Sequence, residues 1–216
     1  MAVFPFERAY FLKHGINTNF VGHPLAKQLP LHPRKLLSKQ LLGLDESRPV
    51  LAIMPGSRPQ EIARHLPVFI EAARIEAKSK ESIQVVLGVV NDDHKDIAEA
   101  ACRGQGFGVY ARKSRELLTA ADAAIVASGT VTLEALLCRT PMVVGYRTSP
   151  VNYFFLKRMI TVERIALPNI LSDSALVPEY IQSEMTAENL SRTVLYYLEA
   201  YKNIEAFTHS AETIHR

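Results

Sequence analysis

The sequence predicts an α/β protein built on a doubly wound, largely parallel sheet. Two observations carry this. From Val50 onward, short apolar runs of strand length alternate with segments whose apolar residues fall at helical spacing, the pattern of consecutive βαβ units. The composition is also that of a globular chain: 48% of the 216 residues are hydrophobic and 22% are charged, which excludes a disordered polymer. The length suits one large domain, or one and a half small ones.

The elements follow in order. Residues 1–30 have no βα partner of their own. Phe4-Pro5-Phe6-Glu7 opens a helix to His14, Asn19 to Val21 reads as a strand, and Gly22-His23-Pro24 follows it. Pro33 to Leu42 reads as a helix, with proline at its first position and Gly43 closing it. Val50 to Met54 is a buried strand ended by Pro55-Gly56, and Ile62, Leu66, Phe69, Ile70 and Ala73 mark an amphipathic helix. Ile83 to Val90 is the next strand, Asp92 to Ala101 a helix ending near Gly104, and Phe107 to Tyr110 a short strand. Ser114, as N-cap, opens a helix to Ala121. Ala123 to Ala127 is a strand, Gly129 to Cys138 a helix, and Pro141 to Tyr146 a strand. After Pro150 the chain reads as helical and aromatic, irregular around Pro168-Asn169-Ile170, then helical from Ala187.

Charge and cysteine usage narrow the function classes. The net charge is +3 with a pI near 8.8, and the basic residues are scattered. That balance suits a phosphate-bearing substrate or an anionic membrane surface, and lacks the dense patch of a nucleic-acid binder. Cys102 and Cys138 sit in Ala/Leu-rich surroundings without metal-ligand spacing, and read as buried free thiols. The seven histidines form no H-E-x-x-H pattern, and no G-x-S-x-G elbow occurs. The N-terminus has no charged region followed by an apolar one, so no signal peptide is visible. No apolar run reaches the length of a membrane span.

Two turns carry the candidate chemistry, both at carboxyl ends of predicted strands, where ligands bind in such sheets. In Val126-Ala127-Ser128-Gly129-Thr130-Val131-Thr132-Leu133-Glu134 a strand runs into a small-residue turn and then a helix. The backbone N–H groups of Ser128, Gly129 and Thr130 and the helix dipole favour a phosphate there. Glu134, about a turn further on, is placed to accept hydrogen bonds from a sugar diol. A capped helix with a solvated Glu would give the same string. In Pro55-Gly56-Ser57-Arg58, Gly56 permits close backbone approach, Ser57 offers a hydroxyl, and the Arg58 fork can neutralise a diphosphate. His23 is a candidate acid or base, although a lone His before Pro is more often a loop hydrogen-bonder. The segment Asn152 to Ile160 sets aromatics beside Lys157 and Arg158; it fits a lipid interface, although by sequence alone such a string is more often a core or subunit-interface helix.

Taken together, these strings resemble lipid-A-disaccharide synthases. The resemblance rests on Phe4-Pro5-Phe6-Glu7, Phe20 to Leu25, Pro55 to Arg58 with Glu61-Ile62, Ala127 to Thr130 with Leu133-Glu134, Pro141 to Arg147, and Leu167 to Ile170, all in order. Pro178 to Gln182 extends it. It implies the C-terminal half of a GT-B glycosyltransferase, a fold with two Rossmann-like domains facing across a cleft. Residues 1–22 would be a remnant of the N-terminal domain and residues 23–216 the C-terminal UDP-sugar-binding domain with a helical end. The implied reaction transfers 2,3-diacylglucosamine from its UDP derivative to 2,3-diacylglucosamine 1-phosphate (lipid X), with inversion to a β-1,6 disaccharide and release of UDP. It needs no cofactor and no metal. The implied UDP-binding residues are Gly56, Ser57, Arg58, Ser128, Gly129, Thr130, Glu134, Asn169 and Gln182. Tyr153, Phe154, Phe155, Lys157 and Arg158 would meet membrane or acyl chains, on the cytoplasmic face of the inner membrane. The general base is unassigned and expected in the N-terminal half, so this chain alone is expected not to catalyse transfer; a homodimer or a complementing half is the expected partner. Another UDP-sugar-using GT-B enzyme, or a non-catalytic nucleotide-binding or assembly module, is the alternative.

Overall fold

The computed structural model describes residues 1–79, 83–149, 164–172, 174–199 and 204–215. Strands β1 (Val50–Met54), β2 (Gln84–Val89), β3 (Gly108–Ala111), β4 (Ala123–Ala127), β5 (Met142–Tyr146) and β6 (Glu179–Ile181) form one sheet. Their order is β3-β2-β1-β4-β5-β6 and every pairing is parallel. The chain moves outward from β1 to β3, then returns to lay β4 on the other side of β1. The order reverses there, and a crevice opens beyond the carboxyl ends of β1 and β4.

The strands are covered on both faces. Val50, Ala52 and Met54 of β1 and Ala124 and Val126 of β4 face one layer, with Leu117 and Leu118 of α6 (Ser114–Ala120) and Leu133 and Leu136 of α7 (Thr130–Leu137). Leu51, Ile53, Ala123 and Ile125 face the other, with Ile62, Leu66 and Phe69 of α4 (Pro59–Ser79) and Leu190 and Val194 of α9 (Ala187–Glu199). The period of two splits each strand between two layers. Double burial explains why β1 and β4 read as unbroken apolar runs. The remaining α-helices among the described residues are α1 (Pro5–Lys13), α2 (Pro24–Gln28), α3 (Lys35–Leu41), α5 (Asp92–Ala101), α8 (Leu167–Leu171) and α10 (Ile204–His215).

Several local expectations are corrected. Asn19 to Val21 is not a strand: Phe20 makes a single parallel bridge to Ala2, and Pro5 and Gly22 turn the chain before a ladder can extend. α3 begins at Lys35 and not at Pro33. Pro168-Asn169-Ile170 lies in α8, where a proline in the first turn costs no intrahelical hydrogen bond. Ser114 does not cap α6; Lys113 holds that position, and the Ser114 hydroxyl donates to Glu134 Oε1 at 3.1 Å instead. β6 has no counterpart among the expected elements.

In the N-terminal segment, Glu7 caps α1 by accepting from Val3 N–H at 2.8 Å and Phe4 N–H at 3.0 Å. α1 buries no residue, and Phe6, Tyr10 and Leu12 are exposed. Both cysteines are free and buried, and burial pushes the Cys138 thiol up to about 11, which keeps it neutral and unreactive near neutral pH. No described helix is long and apolar enough to cross a membrane.

Candidate functional site

The turn after β1 is shaped by one glycine and one carboxylate. Gly56 has φ +118°, a conformation that a side chain disfavours. A Cβ there would also stand 2.8 Å from Glu61 Oε2 and 2.9 Å from Glu61 Cβ. Glu61, in the first turn of α4, folds back over the turn. Its Oε2 accepts from Ser57 N–H at 3.2 Å and Arg58 N–H at 3.3 Å. Its Oε1 accepts from Arg58 Nη1 at 2.7 Å. The Arg58 side chain is nonetheless 78% exposed, against 13% for Glu61.

The turn after β4 is the start of α7. Gly129 is its N-cap residue, at φ +142° and ψ −164°, a region open essentially to glycine. The first N–H groups of a helix have no intrahelical partner, so they point outward at this turn. Thr132 is tied down, its hydroxyl donating to Gly129 O at 2.7 Å. The Ser128 hydroxyl donates to Ile165 O at 2.9 Å, so it fixes a neighbouring loop and leaves the ligand face to the backbone. Gly129→Ala is expected to lower thermal stability by about 1–3 kcal/mol through backbone strain alone, because nothing lies within 4 Å of the added methyl. A melting temperature equal to that of the parent would show that the turn needs no glycine.

Glu134 lies one turn into α7 and is 13% exposed. Ser114 Oγ donates to its Oε1 at 3.1 Å, and Arg115 Nε is 3.4 Å from the same oxygen. Both contacts fall on Oε1. The carboxylate is thereby held in one orientation at the cavity wall.

These pieces converge. Gly56, Ser57, Arg58, Ser128, Gly129, Thr130 and Glu134 line one cavity of about 470 Å³ at the switch point, together with Glu61, Arg112 and Ser114. Two larger hollows, each about 640 Å³, lie elsewhere, one under residues 3–5 and 20–27 and one at the amino ends of β1, β4 and β5. Size favours those; the chemistry favours the smaller cavity, which has backbone donors, a guanidinium and an oriented carboxylate at the end of the sheet where ligands bind.

Asn169 and Gln182 do not line that cavity. Asn169 is buried and its amide is spent: Nδ2 donates to Val177 O at 2.8 Å and Glu179 Oε1 at 2.6 Å, and Oδ1 accepts from Val177 N–H at 2.8 Å. The same Glu179 carboxylate accepts from the N–H groups of Ile165 and Ala166, so Asn169 braces the loop that Ser128 holds. Gln182 closes the β5–β6 end, its Oε1 accepting from Thr148 N–H at 3.2 Å and its carbonyl from Arg147. His23 is taken up by its own turn: Nδ1 accepts from Leu25 N–H at 3.2 Å, and the ring stacks on Phe4. Tyr153, Phe154, Phe155, Lys157 and Arg158 lie outside the described residues.

Three residues of the site neighbourhood escaped the sequence reading. Glu61 stands in the sequence pattern only as part of the string from Pro55 to Ile62. Arg112, just after β3, has φ +58° and pairs with Asp92 at the cavity rim. His65 is fully buried beneath the site; its Nδ1 meets Pro55 O at 2.9 Å and its Nε2 accepts from Arg147 N–H at 3.0 Å, which ties the end of β1 to the end of β5. The spacing of Glu61, three residues after Arg58 at a helix start, is the one signal that could have been read. Among the described residues no group of three His, Cys, Asp or Glu side chains could hold a metal ion.

Comparison with known proteins bears on the family and the fold. A family model described as lipid-A-disaccharide synthetase matches residues 1–215. The chain is 38% identical to a lipid-A-disaccharide synthase of Hahella chejuensis over 199 residues, covering 90% of this chain and 50% of that one. It is 37% identical to that of Pseudomonas savastanoi pv. phaseolicola over 218 residues, covering 100% and 57%. The chain therefore spans about half the length of the curated relatives it matches. In structure it is similar to the C-terminal domain of a glycosyl transferase group 1 family protein from Francisella tularensis, with a TM-score of 0.59 at 12% identity, covering 88% of this chain and 94% of that domain. That likeness speaks for the fold, an α/β parallel sheet of the kind found in GT-B glycosyltransferases.

Proposed function

The chain belongs to the lipid-A-disaccharide synthetase family, and from that premise we propose that it is the UDP-sugar-binding domain of a lipid A glycosyltransferase. The observation that carries this reading is the convergence of the β1 turn, the start of α7 and Glu134 on one cavity at the switch point. In this reading the Arg58 fork and the outward N–H groups of α7 take the diphosphate, a charge-assisted arrangement. Glu134 Oε2, the oxygen opposite the Ser114 and Arg115 contacts, takes the ribose hydroxyls. Ser128, Asn169 and Gln182 act at one remove, by holding the loops around the nucleotide.

The proposed reaction transfers 2,3-diacylglucosamine from UDP to lipid X by a single inverting displacement. Holding UDP by cations and dipoles stabilises the charge that develops on the leaving group. The acceptor hydroxyl also needs a base. His23 is occupied by Leu25 N–H, and the described cavity pairs no His with a carboxylate. The base and the acceptor wall are therefore assigned to a partner domain or subunit. We further propose that the partner surface is the cytoplasmic face of the inner membrane, met by Tyr153 to Arg158.

A ligand panel tests the reading. UDP and UDP-2,3-diacylglucosamine are expected to bind the 216-residue chain in calorimetry, ADP and CMP far more weakly, and no disaccharide is expected when this chain alone is given both UDP-2,3-diacylglucosamine and lipid X. Equal binding of ADP and UDP would remove the proposed specificity. Disaccharide formation by this chain alone would show that its own residues supply the base.

A further inference from the structure

We propose that Glu61 is an intramolecular stand-in for the diphosphate: in the empty site its carboxylate occupies the donors of the 56–58 turn, and a charged ligand must displace it. The proposal rests on the nucleotide reading of this cavity and assigns a specificity-determining role to a residue which that reading leaves unused.

The geometry carries it. Glu61 Oε2 takes the Ser57 and Arg58 N–H groups at 3.2 and 3.3 Å, and Oε1 takes Arg58 Nη1 at 2.7 Å. These are the groups a phosphate would seek: adjacent backbone N–H donors just before a helix, and a guanidinium. A carboxylate satisfies them in the same way, with two oxygens and a negative charge. Gly56 makes this fold-back possible, because any Cβ there would strike Glu61. Glu61 also lines the cavity, so the anion sits in the ligand's path.

Two anions cannot share one donor set at contact distance without strong repulsion. A diphosphate that takes Arg58 and the turn must therefore turn Glu61 out. Its affinity is the difference between two charge-assisted sets, one gained and one given up. An uncharged nucleoside pays no such penalty and gains nothing from the turn. The device favours ligands carrying enough charge to open it.

The experiment compares wild type, Glu61→Gln and Glu61→Ala by titration with UDP, inorganic pyrophosphate and uridine, and by melting with and without UDP. Gln keeps the shape and loses the charge; Ala vacates the donors altogether. Both variants are expected to bind UDP and pyrophosphate about tenfold more tightly, the scale of one charge-assisted hydrogen bond, with uridine unchanged. The ligand-free melting temperature falls, because the capping carboxylate is lost, while the rise caused by UDP becomes larger. A supporting role for Glu61 would move both downward. UDP binding that weakens or stays equal in the variants overturns the proposal. If Arg58→Ala and Glu134→Ala also leave UDP binding untouched, the nucleotide reading has failed with it; if those two weaken UDP and the Glu61 variants do not tighten it, only the stand-in role has failed.

Discussion

Arg58→Ala is expected to weaken UDP by about 10- to 100-fold and to leave uridine within about twofold, because a hydrogen bond to a charged group contributes about 1.5–3 kcal/mol and each 1.4 kcal/mol is a factor of ten. The guanidinium is the most exposed charged group of the β1 turn, and Glu61 already holds one of its nitrogens. Its fork suits a diphosphate and has no counterpart in a nucleoside. Removing it also leaves Glu61 in possession of the Ser57 and residue 58 N–H groups, so the two losses act in one direction. Calorimetric titration of both ligands checks the result. Equal losses for UDP and uridine would assign Arg58 to the shape of the turn and not to phosphate.

Glu134→Ala is expected to weaken UDP and uridine alike, each by about 10- to 100-fold, on the same scale of charge-assisted hydrogen bonds. The ribose is common to both ligands, so the ratio of their affinities should not change. Ser114 and Arg115 also lose a partner, so the melting temperature should fall slightly. Glu134→Gln separates the two effects: it keeps an acceptor for Ser114 and should lie between wild type and Ala in both measurements. A loss confined to UDP would move Glu134 from the ribose to the phosphates.

The parts of this fold that could be read from sequence are those with strong local signals. β1, β4 and α5 matched because each has a strong local pattern: β1 is an apolar run between Pro49 and Pro55, β4 one between Asp122 and Ser128, and α5 an amphipathic helix opened by Asn91. β6 was illegible for a physical reason. It has three residues, all half-buried, and becomes a strand only by pairing with β5 at the sheet edge. Ser114 shows the limit of capping rules: its hydroxyl has a better partner in Glu134, twenty residues away in sequence.

The candidate site divides the same way. The turns after β1 and β4 are visible in the sequence because each is a glycine-containing string at the carboxyl end of an apolar run; that they meet follows from the strand order, which sets β1 beside β4. What local sequence could not convey is which polar groups the fold itself consumes. Asn169 stands in a family string, yet its amide is spent on Val177 and Glu179. Ser128 stands in the key turn, yet its hydroxyl holds Ile165. His65, with no motif around it, links the ends of β1 and β5. Such roles depend on partners outside the local string, from 8 residues away for Asn169 and Val177 to 82 for His65 and Arg147.

The most direct test of the account is a crystal structure of the chain with UDP. The expected result places the diphosphate within about 2.7–3.2 Å of the Arg58 guanidinium and of the N–H groups that open α7, with the ribose hydroxyls on Glu134 and Glu61 turned away from Ser57. UDP seated in either of the larger hollows, or in the cavity with Glu134 facing no ribose oxygen, would contradict it.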